Sequence, residues 1–164
     1  ALDSDTVLCI PDEFLAQYVQ TQTDKHILTW KGHCEVHERF SAQDIARFRQ
    51  QTPGITVLAH PECPPEVLDV CDYTGSTSQM INYVEDKRPD NVVMITECSM
   101  SDNVQAANPD LNLIRPCQLC PHMKRITAPK ILQALQDEEP QVHVDPATAE
   151  RARKAIDKML ELSR

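Results

Sequence analysis

The sequence predicts an α/β fold in which parallel strands are covered by helices on both faces. Short apolar runs alternate along the chain with stretches that carry helix-start signals, and this alternation is typical of parallel sheets. The runs are apolar throughout instead of alternating with polar residues, which indicates strands buried on both faces. Together these observations favour a layered sheet over a helical bundle or a β-sandwich.

Six strands and five helix starts account for most of the chain. In order, the predicted strands are residues 6–10, 26–30, 55–59, a short run at 71–74, 91–96 and 111–114. Helix starts are indicated by an N-cap side chain or by a proline in the first turn. These signals stand at Ser41, Pro64-Pro65, Ser76 or Thr77, Thr127 with Pro129, and Asp145-Pro146.

The composition and net charge of the chain argue against several classes of binding partner. The chain has 164 residues and a net charge of −9, which argues against nucleic acid or an anionic membrane, because phosphate binding needs a basic face. No apolar run approaches the ~18 residues of a membrane span, and no signal peptide opens the chain, so we expect a cytoplasmic protein. With three glycines and no glycine-rich phosphate loop, a conventional nucleotide site is not expected.

Seven cysteines are an odd number for a disulfide framework. In the cytoplasm such thiols stay reduced, which favours metal binding or catalysis over a disulfide scaffold. Cys9, Cys71 and Cys98 lie in or beside apolar strands, and we expect them to be small buried hydrophobic side chains.

Two cysteines stand in polar motifs that follow predicted strands. Cys34 lies in the segment Gly32-His33-Cys34-Glu35-Val36-His37, and Cys120 lies in Cys117-Gln118-Leu119-Cys120-Pro121-His122. Thiolates so placed are candidates for a soft metal centre. Cys34 and Cys120 are 86 residues apart, about one small βα domain, which suggests a metal site at a domain junction. By spacing alone, Cys117 and Cys120 could equally be half a zinc site, a redox dithiol or a pair of cluster ligands.

Polar motifs follow five of the predicted strands, where ligands bind in parallel sheets. The motifs are Pro11-Asp12, Gly32 to His37, His60-Pro61-Glu62-Cys63, Gly75-Ser76-Thr77-Ser78 and Thr96-Glu97. His60 and Glu62 could position a substrate and move protons, although a surface loop with a capping glutamate is the alternative. Ser76, Thr77 and Ser78 suit an anion at a helix N-terminus, or form an ordinary cap.

Taken together, these motifs resemble the quinolinate synthase family. The resemblance runs in one order over nearly the whole chain and is carried by Pro11-Asp12-x-x-Leu15-Ala16, Trp30-x-Gly32-x-Cys34-x-Val36-His37-Glu38, His60-Pro61-Glu62-Cys63-Pro64, Gly75-Ser76-Thr77-Ser78, Thr96-Glu97, Cys120-Pro121-x-Met123-Lys124 and Val142-His143-Val144-Asp145. Each motif alone is weak evidence, whereas the ordered set is specific.

The resemblance implies three Rossmann-like αβα modules with parallel sheets, related by pseudo-threefold symmetry around a [4Fe-4S] cluster. Each module would give one cysteine, so Cys34 and Cys120 are the expected ligands and Cys117 is not. Residues 1–38 would be the end of the second module, residues 39–125 the third module, and residues 126–164 a C-terminal helical segment. The first module and its cysteine would lie outside this chain. We therefore expect a fragment that forms no quinolinate alone and exposes the apolar stripe of its last helix.

The implied activity is a condensing, dehydrating transferase of de novo NAD biosynthesis. It would join iminoaspartate, supplied by L-aspartate oxidase, to dihydroxyacetone phosphate, and it would release quinolinate, phosphate and water. Glu62 would transfer protons, with His60 and His37 orienting the substrate, and Ser76, Thr77 and Ser78 would hold an anionic group. The cluster would act as a Lewis acid.

Two other classes of protein stay open at this point. The chain could be a zinc-stabilised or thiol-based regulatory domain without catalysis, or a different α/β enzyme with incidental cysteines.

Overall fold

The computed structural model describes residues 3–163 and confirms the α/β class with parallel sheets. Ala1, Leu2 and Arg164, which the predicted terminal modules include, lie outside the described residues. The described chain forms a larger compact unit of residues 4–121 and a smaller unit with Asp3 and residues 122–163. The module boundaries at residues 38 and 125 stay predictions.

All six predicted strands are confirmed, and all lie in the larger unit. They are β1 (Thr6–Cys9), β2 (His26–Thr29), β3 (Thr56–Ala59), β4 (Tyr73–Thr74), β5 (Asn91–Ile95) and β6 (Asn112–Ile114). β1 and β2 form a two-stranded sheet, and the others form a four-stranded sheet in the order β4-β3-β5-β6. Every pairing is parallel, so the carboxyl ends of neighbouring strands lie at one edge of each sheet.

The predicted helix starts are confirmed, and two further helices were not predicted. The helices are α1 (Glu13–Thr21), α2 (Ala42–Gln51), α3 (Pro65–Leu68), α4 (Thr77–Lys87), α5 (Cys98–Ala107), α6 (Ala128–Asp137) and α7 (Pro146–Leu162). Ser41 and Ser76 are N-caps with complete capping boxes, in which cap and third residue each bond the other's backbone. The sequence analysis missed α1 and α5.

The four-stranded sheet is buried on both faces, as its apolar strands predict. Along β3, Val57 and Ala59 pack into one core cluster and Leu58 packs into another. Along β5, Val93 and Ile95 belong to the first cluster, whereas Val92 and Met94 belong to the second. Because side chains of a strand alternate between faces, the two clusters lie on opposite sides of the sheet.

Cys98 and Cys117 form a disulfide, so the prediction that Cys98 is a free, reduced thiol is wrong. Its burial is confirmed. The disulfide depends on a contact between residues distant in sequence, because Glu97 pairs with Gln118 in a parallel bridge. This pairing brings the Cα atoms of Cys98 and Cys117 to 5.0 Å. That separation lies in the ordinary range for a disulfide. Cys117 is therefore joined to Cys98 and not to Cys120.

The smaller unit exposes most of its large apolar side chains. The exposed apolar residues of α7 are Ile156, Met159, Leu160 and Leu162. In the larger unit, the neighbours Leu8 and Leu28 of β1 and β2 are likewise exposed. Among residues 3–163, no helix combines the length and the apolar character that crossing a bilayer requires.

We predict that Leu58→Ala lowers the free energy of unfolding by about 2–5 kcal/mol, because it leaves a cavity inside a packed core. Leu58 is fully buried in β3, whereas Leu8 of β1 is 62% exposed. The matched change Leu8→Ala should cost about 0.5 kcal/mol or less. Urea denaturation of both variants measures the difference, and equal losses would contradict the assignment of the core.

Candidate active site

The carboxyl edge of the four-stranded sheet brings together two histidines and a glutamate that the sequence analysis singled out. His60 and Glu62 lie in the loop after β3, which is tied to the neighbouring strand because the His60 N–H donates to the carbonyl of Ile95 at 3.2 Å. His37 comes from the short 3-10 turn His37–Arg39, which follows the Cys34 loop. The imidazole rings of His37 and His60 stack with their centroids 4.5 Å apart.

His37 is buried and has a polar neighbour at each ring nitrogen. Its Nε2 lies 3.0 Å from the hydroxyl of Thr96, and its Nδ1 lies 3.1 Å from Oε2 of Glu62. The second contact is short but poorly aligned, so Nδ1 has no well-formed hydrogen bond in the described part of the chain. A buried polar atom with an unfilled position is available to a metal or a substrate. The sequence analysis assigned no role to Thr96.

The electrostatics set the charge of Glu62 and His60 at neutral pH. The neighbouring His37 imidazole lowers the pKa of Glu62 despite the opposing effect of burial. Burial, helped by the charge that His37 can carry, lowers the pKa of His60 to about 4. Glu62 is therefore a carboxylate and His60 a neutral imidazole near pH 7, so both are in the form that can accept a proton, and the lowered pKa makes each a weaker base.

Cys34 lies beside this group. Its Sγ, one ring nitrogen of His37 and one oxygen of Glu62 all lie within 4.8 Å of one another, which is a candidate set of metal ligands. The backbone N–H of Cys34 donates to Oδ2 of Asp12 at 2.8 Å. Burial raises the pKa of the Cys34 thiol, and binding a metal reverses such an effect because the ligand is the thiolate.

Cys120 is a second cysteine at this edge of the fold that is not part of the Cys98–Cys117 disulfide. Cys34 and Cys120 are both half-buried, and both pack against the apolar cluster that contains Val93 and Ile95. The backbone N–H of Cys120 donates to Oε1 of Glu97 at 3.3 Å.

The thiols of Cys63 and Cys71 each contact an oxygen atom within the fold. Cys63 is fully buried, and its Sγ contacts the carbonyl of Ile95 at 3.5 Å. Burial also raises the pKa of the Cys63 thiol. Cys71 contacts the hydroxyl of Thr74 at 3.1 Å. Cys71 is also half-buried against the apolar cluster that Cys34 and Cys120 contact, but the polar motifs that follow strands do not include it.

Ser76, Thr77 and Ser78 are exposed at the N-terminus of α4. The N–H of Gly75 donates to the carbonyl of Ala59 at 3.1 Å, which ties this loop to the end of β3. Gly75 is required there, because a Cβ would lie 2.8 Å from the ring of Tyr73. The Ser76 hydroxyl is used as a helix cap. The described hydrogen bonds do not join these three residues to the histidine pair, so their role as an anion site stays a prediction.

We predict that stability falls as the pH drops from about 6.5 to about 4, because of His60. Over that range the unfolded chain binds a proton at this residue and the folded chain does not, so acid favours unfolding. Urea denaturation across this range should give a steeper loss for the unaltered chain than for His60→Asn. His143→Asn, at an exposed histidine, should keep the steep loss. Parallel curves for the unaltered chain and His60→Asn would contradict this account.

Comparisons with known proteins show the family to which the chain belongs. Residues 1–161 match the family model described as Quinolinate synthetase A protein. A quinolinate synthase of Sinorhizobium fredii is 58% identical over 99% of this chain and 45% of its own length. One from Caulobacter vibrioides is 55% identical over 97% of this chain and 43% of its own length. The chain thus spans about half the length of these curated relatives, and it belongs to the quinolinate synthase family.

Proposed function

We propose that this chain supplies part of the active site of an enzyme that condenses iminoaspartate with dihydroxyacetone phosphate to give quinolinate, phosphate and water. The observation that carries the proposal is the gathering of Cys34, His37, His60 and Glu62 at one sheet edge. Family membership supports the reaction class. Since the chain spans less than half of the first relatives' length, the complete activity is assigned to a protein of the family's full length.

The thiols present fit two of the ligands of a [4Fe-4S] cluster. Such clusters are held by cysteine thiolates, and Cys34 and Cys120 are half-buried against one apolar cluster, outside the disulfide. Cys98 and Cys117 are joined to each other. We assign Cys34 and Cys120 to the cluster, with a third thiolate from another part of the full-length protein. When bound, a cluster with one iron free of protein ligands supplies a Lewis acid.

Glu62 is the proposed proton-transfer group. It is a carboxylate at neutral pH, it is partly exposed, and its Oε2 lies 3.1 Å from Nδ1 of His37 and 3.7 Å from Nδ1 of His60. It can therefore accept a proton from a carbon or nitrogen of the substrate and return it to a leaving oxygen, as dehydration and tautomerisation require. Thr96 fixes the orientation of His37, so that Nδ1 faces Glu62.

Ser76, Thr77 and Ser78 are the proposed anion site. The first N–H groups of a helix have no partner within the helix, and the helix dipole favours negative charge there. These donors suit the phosphate of dihydroxyacetone phosphate or a carboxylate of iminoaspartate. No lysine is needed, because backbone donors and neutral hydroxyls can hold the anion.

One observation favours a second candidate function. Cys34, His37 and Glu62 form a compact thiolate, imidazole and carboxylate set, and these are also ligands of zinc. A zinc-stabilised domain without catalysis would use the same residues. Metal analysis of the full-length protein purified without air separates the two: four irons with matching sulfide support the synthase, and stoichiometric zinc without iron supports the alternative.

We predict that Cys34→Ser and Cys120→Ser each remove the cluster and the activity together in the full-length protein, because each thiolate is a ligand. The matched control replaces both Cys98 and Cys117 by serine and should keep the cluster, since neither sulfur is assigned to it. Iron and sulfide content with the visible absorption spectrum measure the outcome. A full cluster in Cys34→Ser or Cys120→Ser would contradict the assignment.

We predict that Glu62→Gln lowers the turnover number by about 10²–10⁴-fold, the usual contribution of a general acid–base group. The cluster content should stay unchanged, because Glu62 is assigned to proton transfer and not to iron. Glu66→Gln, at an exposed glutamate in α3, is the matched control and should keep normal turnover. Normal turnover in Glu62→Gln would leave this residue without a catalytic role.

A further inference from the structure

Two buried carboxylates occupy equivalent places in the larger unit. Asp12 follows β1 and caps α1, with Oδ1 accepting the N–H of Leu15 at 2.8 Å. Glu97 follows β5 and caps α5, with Oε2 accepting the N–H of Ser99 at 2.7 Å. The exposed fractions are 3% for Asp12 and 7% for Glu97. Buried carboxylates are rare unless they have specific partners.

In both places the second carboxylate oxygen reaches a cysteine proposed as a cluster ligand. Asp12 Oδ2 accepts the backbone N–H of Cys34 at 2.8 Å. Glu97 Oε1 accepts the backbone N–H of Cys120 at 3.3 Å. Each carboxylate thus joins the start of a helix to a cysteine 22 or 23 residues further along the chain.

The same order of features occurs twice along the sequence. A strand, a carboxylate, a helix and a second strand precede each cysteine. A 3-10 turn begins three residues after each cysteine, at His37 and at Met123. A serine or threonine stands at the N-cap position of the next helix, seven residues after each cysteine, at Ser41 and at Thr127. The carboxylate-to-cysteine contact is therefore part of a structural motif that occurs twice, and not an isolated helix cap.

A helix cap alone does not explain this arrangement. Asp145 caps α7 by accepting the N–H of Thr148, but it is exposed. Ser41 and Ser76 cap their helices with hydroxyls. Asp12 and Glu97 differ because the second carboxylate oxygen of each accepts a hydrogen bond from the backbone N–H of a cysteine. Hydrogen bonds to a charged acceptor are stronger than neutral ones, so both cysteine loops are held firmly.

We propose that Asp12 and Glu97 are positioning residues that fix the backbone of Cys34 and Cys120 and so aim the two thiolates at one cluster. This inference rests on the proposed function. The carboxylates touch neither substrate nor iron in this scheme; they act through the cysteines. Groups that orient metal ligands typically change metal affinity by about 10–100-fold when they are removed.

The test separates positioning from capping by two substitutions in the full-length protein. Asp12→Ser keeps a good N-cap side chain, but a single short hydroxyl cannot also reach Cys34. Glu97→Ser likewise keeps a good N-cap side chain, but it has no second oxygen for the backbone N–H of Cys120. Asp145→Ser makes the same chemical change at a cap that contacts no cysteine.

The measurement is the rate of iron release to an excess of chelator without air, together with the thermal midpoint of each variant. We expect release about 10–100-fold faster in Asp12→Ser and Glu97→Ser, and an unchanged rate in Asp145→Ser. A purely structural role would lower the thermal midpoint and leave the rate of iron release at low temperature unaltered. If Asp12→Ser does not fold, Asp12→Asn, which keeps the shape of the side chain, takes its place and should also release iron faster.

The experiment can reject the proposed function and the positioning role separately. Unaltered protein that binds no iron–sulfur cluster rejects the proposed function. Unaltered protein that holds the cluster, with release rates unchanged in the variants at residues 12 and 97, rejects the positioning role and leaves the function standing.

Discussion

The buried contact between His37 and Thr96 is the interaction on which the geometry of the site depends. It joins residues 59 positions apart, and it places the imidazole between the end of β5 and the loop after β3. A buried polar ring must find partners, so this contact restricts where the preceding turn can lie. Cys34 is in that turn, and its position relative to Glu62 follows from the placement of His37.

The site also shows how burial and neighbouring side chains determine the protonation states of its titratable groups. His37 and His60 stack on each other, and two imidazolium ions at that separation would repel each other. Burial and this repulsion keep His60 neutral, whereas the same neighbours favour the charged form of Glu62. Groups whose environments fix their protonation states in this way are typical of acid–base sites.

Local signals predicted most of the fold. The strands are uniformly apolar and the helix starts carry caps or prolines, and both properties can be read within a few residues. Helix α5 was missed because six of its ten residues are weak helix formers, namely Cys98, Ser99, Ser101, Asp102, Asn103 and Val104. Helix α1 was missed because its cap, Asp12, was interpreted only as part of a polar motif.

The polar motifs after the strands predicted which residues meet at the site, but not the individual contacts between distant ones. His60 and Glu62 share one turn, so the motif identified them together. The contact of His37 with Thr96 and the disulfide between Cys98 and Cys117 depend on strand pairing across the sheet. No local pattern encodes such pairings.

The position of Trp30 has a spectroscopic consequence. It is the one tryptophan among the 164 residues, it directly follows β2, and it is 61% exposed. A Cβ at Gly32 would lie 3.1 Å from its ring, so the indole packs closely on the loop that leads to Cys34. Its fluorescence emission therefore reports on a single location, and shielding of this loop from water would shift that emission to shorter wavelength.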